Sequence, residues 1–231
     1  MVALLVALLV CIATPAFAQE WTEYRSVEDG FQTLFPGQPA VTQTTWKSQA
    51  GFVLPERVHS IQKGNERYTV RVIDYRDVQR LGAEKAKQCP AGAEPCLGNL
   101  DLAGIGYWRH DVRGAEMYAL LSYLTSGAKV TDAFWSQLGR VSGVMFQLVN
   151  PDESRTFGYI AMHEMRLYIV EASVPRGAVE PAIFTQSIGW VDKDGRPVRY
   201  LQMYYNEVHG LREAPVPPTG AQGAGGQAGA Q

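Results

Sequence analysis

Residues 156–174, TFGYIAMHEMRLYIVEASV, decide the reading of this chain. They predict two strands folded back through His163-Glu164-Met165-Arg166 and placed in the middle of a sheet. The second strand alternates, with Tyr168, Val170, Ala172 and Val174 on one face and Glu171 and Ser173 on the other. A period of two is the mark of a β-strand. The first is apolar on both faces, Phe157, Tyr159 and Ala161 against Ile160 and Met162, as in a strand covered on both sides.

Working outward, residues 141–149 put Val144, Phe146 and Leu148 on one face of another strand, and residues 129–135 precede it as a further one. Upstream, residues 57–62 and 67–75 read as a hairpin around Lys63-Gly64-Asn65-Glu66, with Tyr68, Val70 and Val72 sharing a face. Residues 41–47 are a strand by their β-branched and aromatic content. Phe31, Thr33 and Phe35 alternate after the turn Glu28-Asp29-Gly30 and stop at Pro36. Two helices punctuate the strands. Residues 115–126 place Met117, Leu120, Leu121 and Leu124 on one apolar face, closed by Gly127. A later helix carries Pro181 in its first turn, with Ile183, Phe184 and Ile188 for packing. Residues 80–87 form a short helix, and 198–205 a last strand. The pattern describes an α+β domain, residues 19–213, with a single antiparallel-rich sheet covered by helices.

The ends fall outside that domain. Residues 2–13 are an apolar run, followed by Pro15 and then Ala16-Phe17-Ala18 before Gln19. About 12 residues at ~1.5 Å each span roughly 18 Å, well short of a ~30 Å hydrocarbon core. Residues 1–18 therefore read as a signal peptide cleaved between Ala18 and Gln19, although no Lys or Arg precedes the run. Cys11 follows Val10, where a lipoprotein signal calls for a small residue. Export, to a periplasm or beyond, is the expected destination, and no later stretch is long enough to span a membrane. Residues 214–231, APVPPTGAQGAGGQAGAQ, bury too little apolar surface to offset the entropy of ordering and read as a disordered tail.

Twenty-one basic and 23 acidic residues give a net charge of −2, with no long run of one sign. That speaks against a nucleic-acid partner. Cys89 and Cys96, in CPAGAEPC, predict a local disulfide in an oxidising compartment, stabilising by about 2–3 kcal/mol at most. Half of a zinc site is the competing reading, but no second Cys or His pair accompanies it.

Trp21-x2-Tyr24-x5-Gly30-Phe31-x3-Phe35-Pro36-Gly37-x-Pro39 resembles the opening of small exported bacterial proteins with a PsbP-like (Mog-type) α/β/α sandwich. The run Arg166-Leu167-Tyr168-Ile169-Val170-Glu171, with Phe184 and Ser187, resembles that family's closing strand and helix. The resemblance implies the sandwich fold and an accessory or binding role, as in photosynthetic and nuclear-transport relatives. It transfers no metal or partner site. The cysteine loop departs from the family pattern, within the irregular region 76–113.

Catalytic signatures are absent from the sequence. The histidines, His59, His110, His163 and His209, form no H-x-x-x-H or HExxH pair. His163-Glu164 falls in a turn and is expected to be solvated. His110-Asp111 stands near Trp108, with Asp111 expected as a helix-start residue. No G-x-S-x-G elbow or P-loop is present. Trp190 with Tyr200, Tyr204 and Tyr205 reads as packing before it reads as a ligand platform. The expectation is a non-catalytic exported binding or accessory module for an unknown protein or small ligand, without a cofactor. The alternative is a hydrolase-type enzyme using His59 or His110 with a carboxylate.

Overall fold

The computed structural model describes residues 21–88, 90 and 107–204. The signal segment with its Ala18–Gln19 junction, Cys89 and Cys96 of the expected disulfide, and the tail 214–231 lie outside the described residues. The sheet-forming stretches fold as their alternation dictates. β1 (Thr22–Ser26) and β2 (Phe31–Phe35) form one hairpin, β3 (Ala40–Lys47), β4 (Val53–Lys63) and β5 (Glu66–Asp74) a meander. Helices α1 (Val78–Lys87) and α2 (Tyr107–Leu124) follow, then β6 (Lys129–Leu138), β7 (Val141–Val149), β8 (Arg155–His163) and β9 (Arg166–Val174). The single turn α3 (Ala182–Thr185) leads to β10 (Gly189–Val191) and β11 (Pro197–Val198).

β3 to β9 build one seven-stranded antiparallel sheet in the order β3-β4-β5-β9-β8-β7-β6. The β8–β9 hairpin sits at its centre, as its sequence predicts. β8 is buried on both faces from Thr156 to His163. β9 is more enclosed than its alternation indicates, because Leu167 and Ile169 are fully buried on the face shared with Glu171.

The expected single sheet covered by helices, an α/β/α sandwich, is overturned. The described residues form two sheets. β1, β2, β10 and β11 form a second, in the order β1-β2-β10-β11, joined across the chain by Gly189↔Gln32 and Trp190↔Phe31. It covers one face of the large sheet through Phe31, Phe35 and Trp190, with Phe184 of α3 beside them, packed on Tyr68, Val70, Tyr159 and Tyr168. The helices α1 and α2 lie on the other face, over Ile73, Phe146, Ile160 and Ile169. The layers are therefore small sheet, large sheet, helices. Pairing between strands more than 150 residues apart leaves no local signal, which is why β10 and β2 could not be matched from sequence. Burying Trp190 alone contributes roughly 4–6 kcal/mol before entropy is counted.

Two helical expectations also shift. α2 starts well before residue 115 and turns Val112, Ala115, Ala119 and Leu120 to the sheet, leaving Met117, Leu121 and Leu124 half exposed. The second helix shrinks to the one turn of α3, with Phe184 buried and Ile183 exposed. The last strand is reduced to β11 and a bridge between Tyr204 and Val141.

Candidate functional site

The tight turn Val27–Gly30 carries the chain from β1 into β2 and holds Gly30 at φ +73°, with its amide donating to the Val27 carbonyl. That turn buries Asp29 between the sheets, where two hydrogen-bonding groups and one arginine converge on its Oδ2. Ser26 Oγ donates at 2.8 Å, His59 Nε2 lies at 2.8 Å and Arg57 Nε at 3.1 Å. Burial alone would push the Asp29 carboxyl up. The hydrogen bonds from His59 and Ser26, with the charge of Arg57, more than reverse this and hold it below the usual carboxylate range. Since Asp29 can only accept, His59 Nε2 carries a proton toward it. On the far side of the ring, the Tyr24 hydroxyl sits 3.0 Å from Nδ1. Phe31 closes over the imidazole edge-to-face at 5.0 Å, and His59 is 0 % exposed.

This chain of groups backs a cleft of about 250 Å³ where the turn meets the ends of β4, β5 and β9. Its charged lining is Glu28, Asp29, Arg57, Asp74, Arg76 and Arg166, with Glu56 contributing from β4 and Gln43 and Thr44 from the exposed strand β3. The carboxylate of Glu56 is bonded by Arg71 Nε at 2.5 Å. Arg76 grips Asp74 with Nε at 2.9 Å and Nη2 at 2.6 Å. Burial would raise the Asp74 carboxyl, but those bonds and the backbone amide of Arg76 bring it below its ordinary value. Arg57 is ion-paired with Glu28 as well as Asp29, yet its buried Nε is not aligned for a hydrogen bond with either. Arg166 is the least satisfied. Its side chain is 11 % exposed, and its one ion pair among the described residues is with Glu164 at 3.6 Å. Its Nη2 lies 3.5 Å from the Glu28 carbonyl, and its guanidinium also meets the Tyr168 hydroxyl.

Neither of the other two histidines among the described residues joins this site, and His209 lies outside them. His110 lies exposed on α2, so the large sheet separates it from His59. Asp111 is not a helix-start residue. It lies inside α2, is 2 % exposed, and accepts the Ala50 amide at 3.0 Å, pinning the loop after β3. His163, expected to be solvated, is enclosed at the end of β8. It stacks on Trp190 at 4.2 Å, and its Nε2 meets the Tyr200 hydroxyl at 2.7 Å. Burial, helped by the Arg166 charge, pushes it down to about 3, so the ring is neutral at pH 7. Trp190, Tyr200 and Tyr204 thus pack around a histidine, as the packing reading has it; Tyr205 lies outside the described residues. On the helix side, Glu116 is raised to about 7 by burial, only partly offset by the Met162 amide it accepts at 2.8 Å.

Sequence reasoning missed Asp29, Arg57, Asp74, Arg76 and Arg166 as a group. Asp29 reads as a turn residue, and nothing in spacing ties it to His59, thirty positions away. Among the described residues, no group of three or more His, Cys, Asp or Glu side chains is placed to hold a metal ion, and no helix is long and apolar enough to cross a membrane.

The molecule is thus a two-sheet, helix-backed antiparallel β domain with a charged cleft at the junction of its sheets. Neither a protein-family model nor a characterised protein matches the chain. Among solved structures it is similar to the solution structure of cyanobacterial PsbP (CyanoP) from Synechocystis sp. PCC 6803, at 12% identity and a TM-score of 0.41. The match covers 76% of this chain and 95% of that one. At that level the likeness concerns the outline of the fold alone.

Proposed function

We propose that this protein is an exported, non-catalytic binding or accessory module of the PsbP-like kind, and that the charged cleft is where it binds. The observation that carries this reading is the state of the Asp29–His59–Tyr24 chain. His59 has the carboxylate partner that an acid–base role would need, but both of its nitrogens are engaged and its ring is wholly enclosed. A general base must come within hydrogen-bond reach of the proton it takes. The chain instead braces the Val27–Gly30 turn and so fixes the arginines in front of it. Binding surfaces are commonly built this way, from charged side chains held by a rigid scaffold. The exported location rests on the apolar segment before Gln19, and the disulfide on the spacing of Cys89 and Cys96.

The test has two arms. Mature protein, beginning at Gln19, is used as bait on the exported fraction of the producing cells, and the same protein is melted against a small-molecule panel. A ligand present at 100 times its Kd stabilises by about 2.7 kcal/mol, a readable rise in melting temperature. The expected outcome is a specific partner or a saturable shift, either one lost on changing Arg57 or Arg166. Hydrolytic turnover of a generic ester or peptide substrate that vanishes in His59→Gln would replace this reading with the enzymatic one.

A further inference from the structure

We propose that the cleft takes the carboxylate of a small organic acid, seated on Arg166 and Arg57 in the place that the side chain of Glu28 now half fills; this rests on the binding-module reading and names its ligand class. The balance of donors and acceptors points to an anion. Asp29 Oδ2 already takes Ser26 and His59 with Arg57 close by, and both oxygens of Asp74 are held by Arg76. Arg166 is different. A guanidinium has five N–H donors, and this one is nearly enclosed while its carboxylate partner stands 3.6 Å away. Leaving a buried charge so loosely paired is costly unless something else pairs with it. Arg57 has the same deficiency at its buried Nε.

Glu28 shows which anion fits. Its side chain is 70 % exposed, yet its carboxylate reaches Arg57 at the mouth of the cleft. An exposed ion pair of this kind is worth at most about 1 kcal/mol, so an incoming carboxylate displaces it cheaply. A planar carboxylate matches the arginine fork two bonds at a time. A phosphate dianion would face Glu28, Asp29 and Asp74 with twice the charge, and repulsion selects against it. Size selects too. The cleft, about 250 Å³, falls below the ~300 Å³ at which drug-sized pockets begin. Gln43 and Thr44 on β3, both exposed, offer amide and hydroxyl groups to the rest of the molecule.

The experiment titrates the mature chain by calorimetry with acetate, propionate and benzoate, with the corresponding amides, with inorganic phosphate, and with a tetrapeptide bearing either a free or an amidated C-terminus. Carboxylates are expected to bind saturably and the amides not at all, with phosphate at least about tenfold weaker. The peptide pair reports whether a chain terminus serves as the source of the carboxylate as well as a free acid does. Arg166→Met is expected to weaken binding by about tenfold or more, the loss of a charge-assisted bond. Glu28→Gln, which removes the internal competitor, is expected to tighten it. Glu28→Gln alters only an exposed side chain, so it decides the matter even if Arg166→Met fails to fold. Amides binding as well as acids, phosphate binding better, or Glu28→Gln weakening the acids would each overturn the carboxylate assignment. So would silence across the whole panel; a protein partner captured by the same chain would then keep the binding-module reading alive without it.

Discussion

Gly158 is a glycine because Phe146 lies across it. The two residues face each other between β7 and β8, and a Cβ on Gly158 would come within 2.2 Å of the Phe146 ring. The ring fills the space that a side chain would take, covering the backbone at the centre of the sheet. Gly158→Ala is expected to destabilise by about 1–3 kcal/mol, the usual cost of overpacking. Urea unfolding measures it as a lower midpoint with an unchanged slope; an unchanged midpoint would mean that the ring moves aside freely. Gly30 is constrained twice, by φ +73° and by the Tyr168 hydroxyl 3.3 Å from where its Cβ would be. That hydroxyl donates to the Asp29 carbonyl at 2.6 Å, so the turn that builds the cleft is fastened to β9. Single residues of this kind were only half legible in the sequence. Glu28-Asp29-Gly30 announces a turn, but the burial of Asp29 depends on β4 bringing His59 beneath it.

At the scale of elements, α2 shows how an apolar pattern can be read in the wrong phase. Its sequence carries large apolar residues on one face and alanines on another. The large ones, Met117, Leu121 and Leu124, look like the core face, whereas Ala115 and Ala119 are the residues fully buried. Small side chains let the helix approach the sheet closely, and Leu120 and Val112 fill the margins. Leu120→Ala is therefore expected to cost about 2–4 kcal/mol, and Leu121→Ala less than about 1 kcal/mol. Denaturation of the two variants side by side checks the phase; equal costs would restore the sequence-based face. The β8–β9 and β4–β5 hairpins were legible because alternation and turn residues are both local. The small sheet was not, because β10 is three residues long and its partner lies at the other end of the domain. The cleft inherits that difficulty, since its lining comes from the Val27–Gly30 turn, β3, β4, β5 and β9 together.

For the molecule as a whole, the two faces of the large sheet hold titratable groups of opposite tendency, His163 buried and Glu116 half-buried. His163 lies on the small-sheet side with a value of about 3 against an ordinary 6.5. The folded state keeps it neutral, so the stability it contributes is full above pH 6.5 and is lost as pH falls toward 3. Glu116 lies on the helix side at about 7 against an ordinary 4.5. The folded state keeps it protonated, so its contribution is full below pH 4.5 and is lost as pH rises through 7. Between pH 4.5 and 6.5 the two slopes oppose each other. Glu116→Gln removes one of them while leaving an acceptor for the Met162 amide. Its stability relative to the unmodified protein is expected to climb with pH by roughly 1 kcal/mol per unit across this window. Urea midpoints for both proteins at several pH values give that difference directly. A difference that stays flat from pH 4.5 to 7 would mean that Glu116 ionises in the folded protein as readily as in the unfolded chain, and that water reaches the helix-side core.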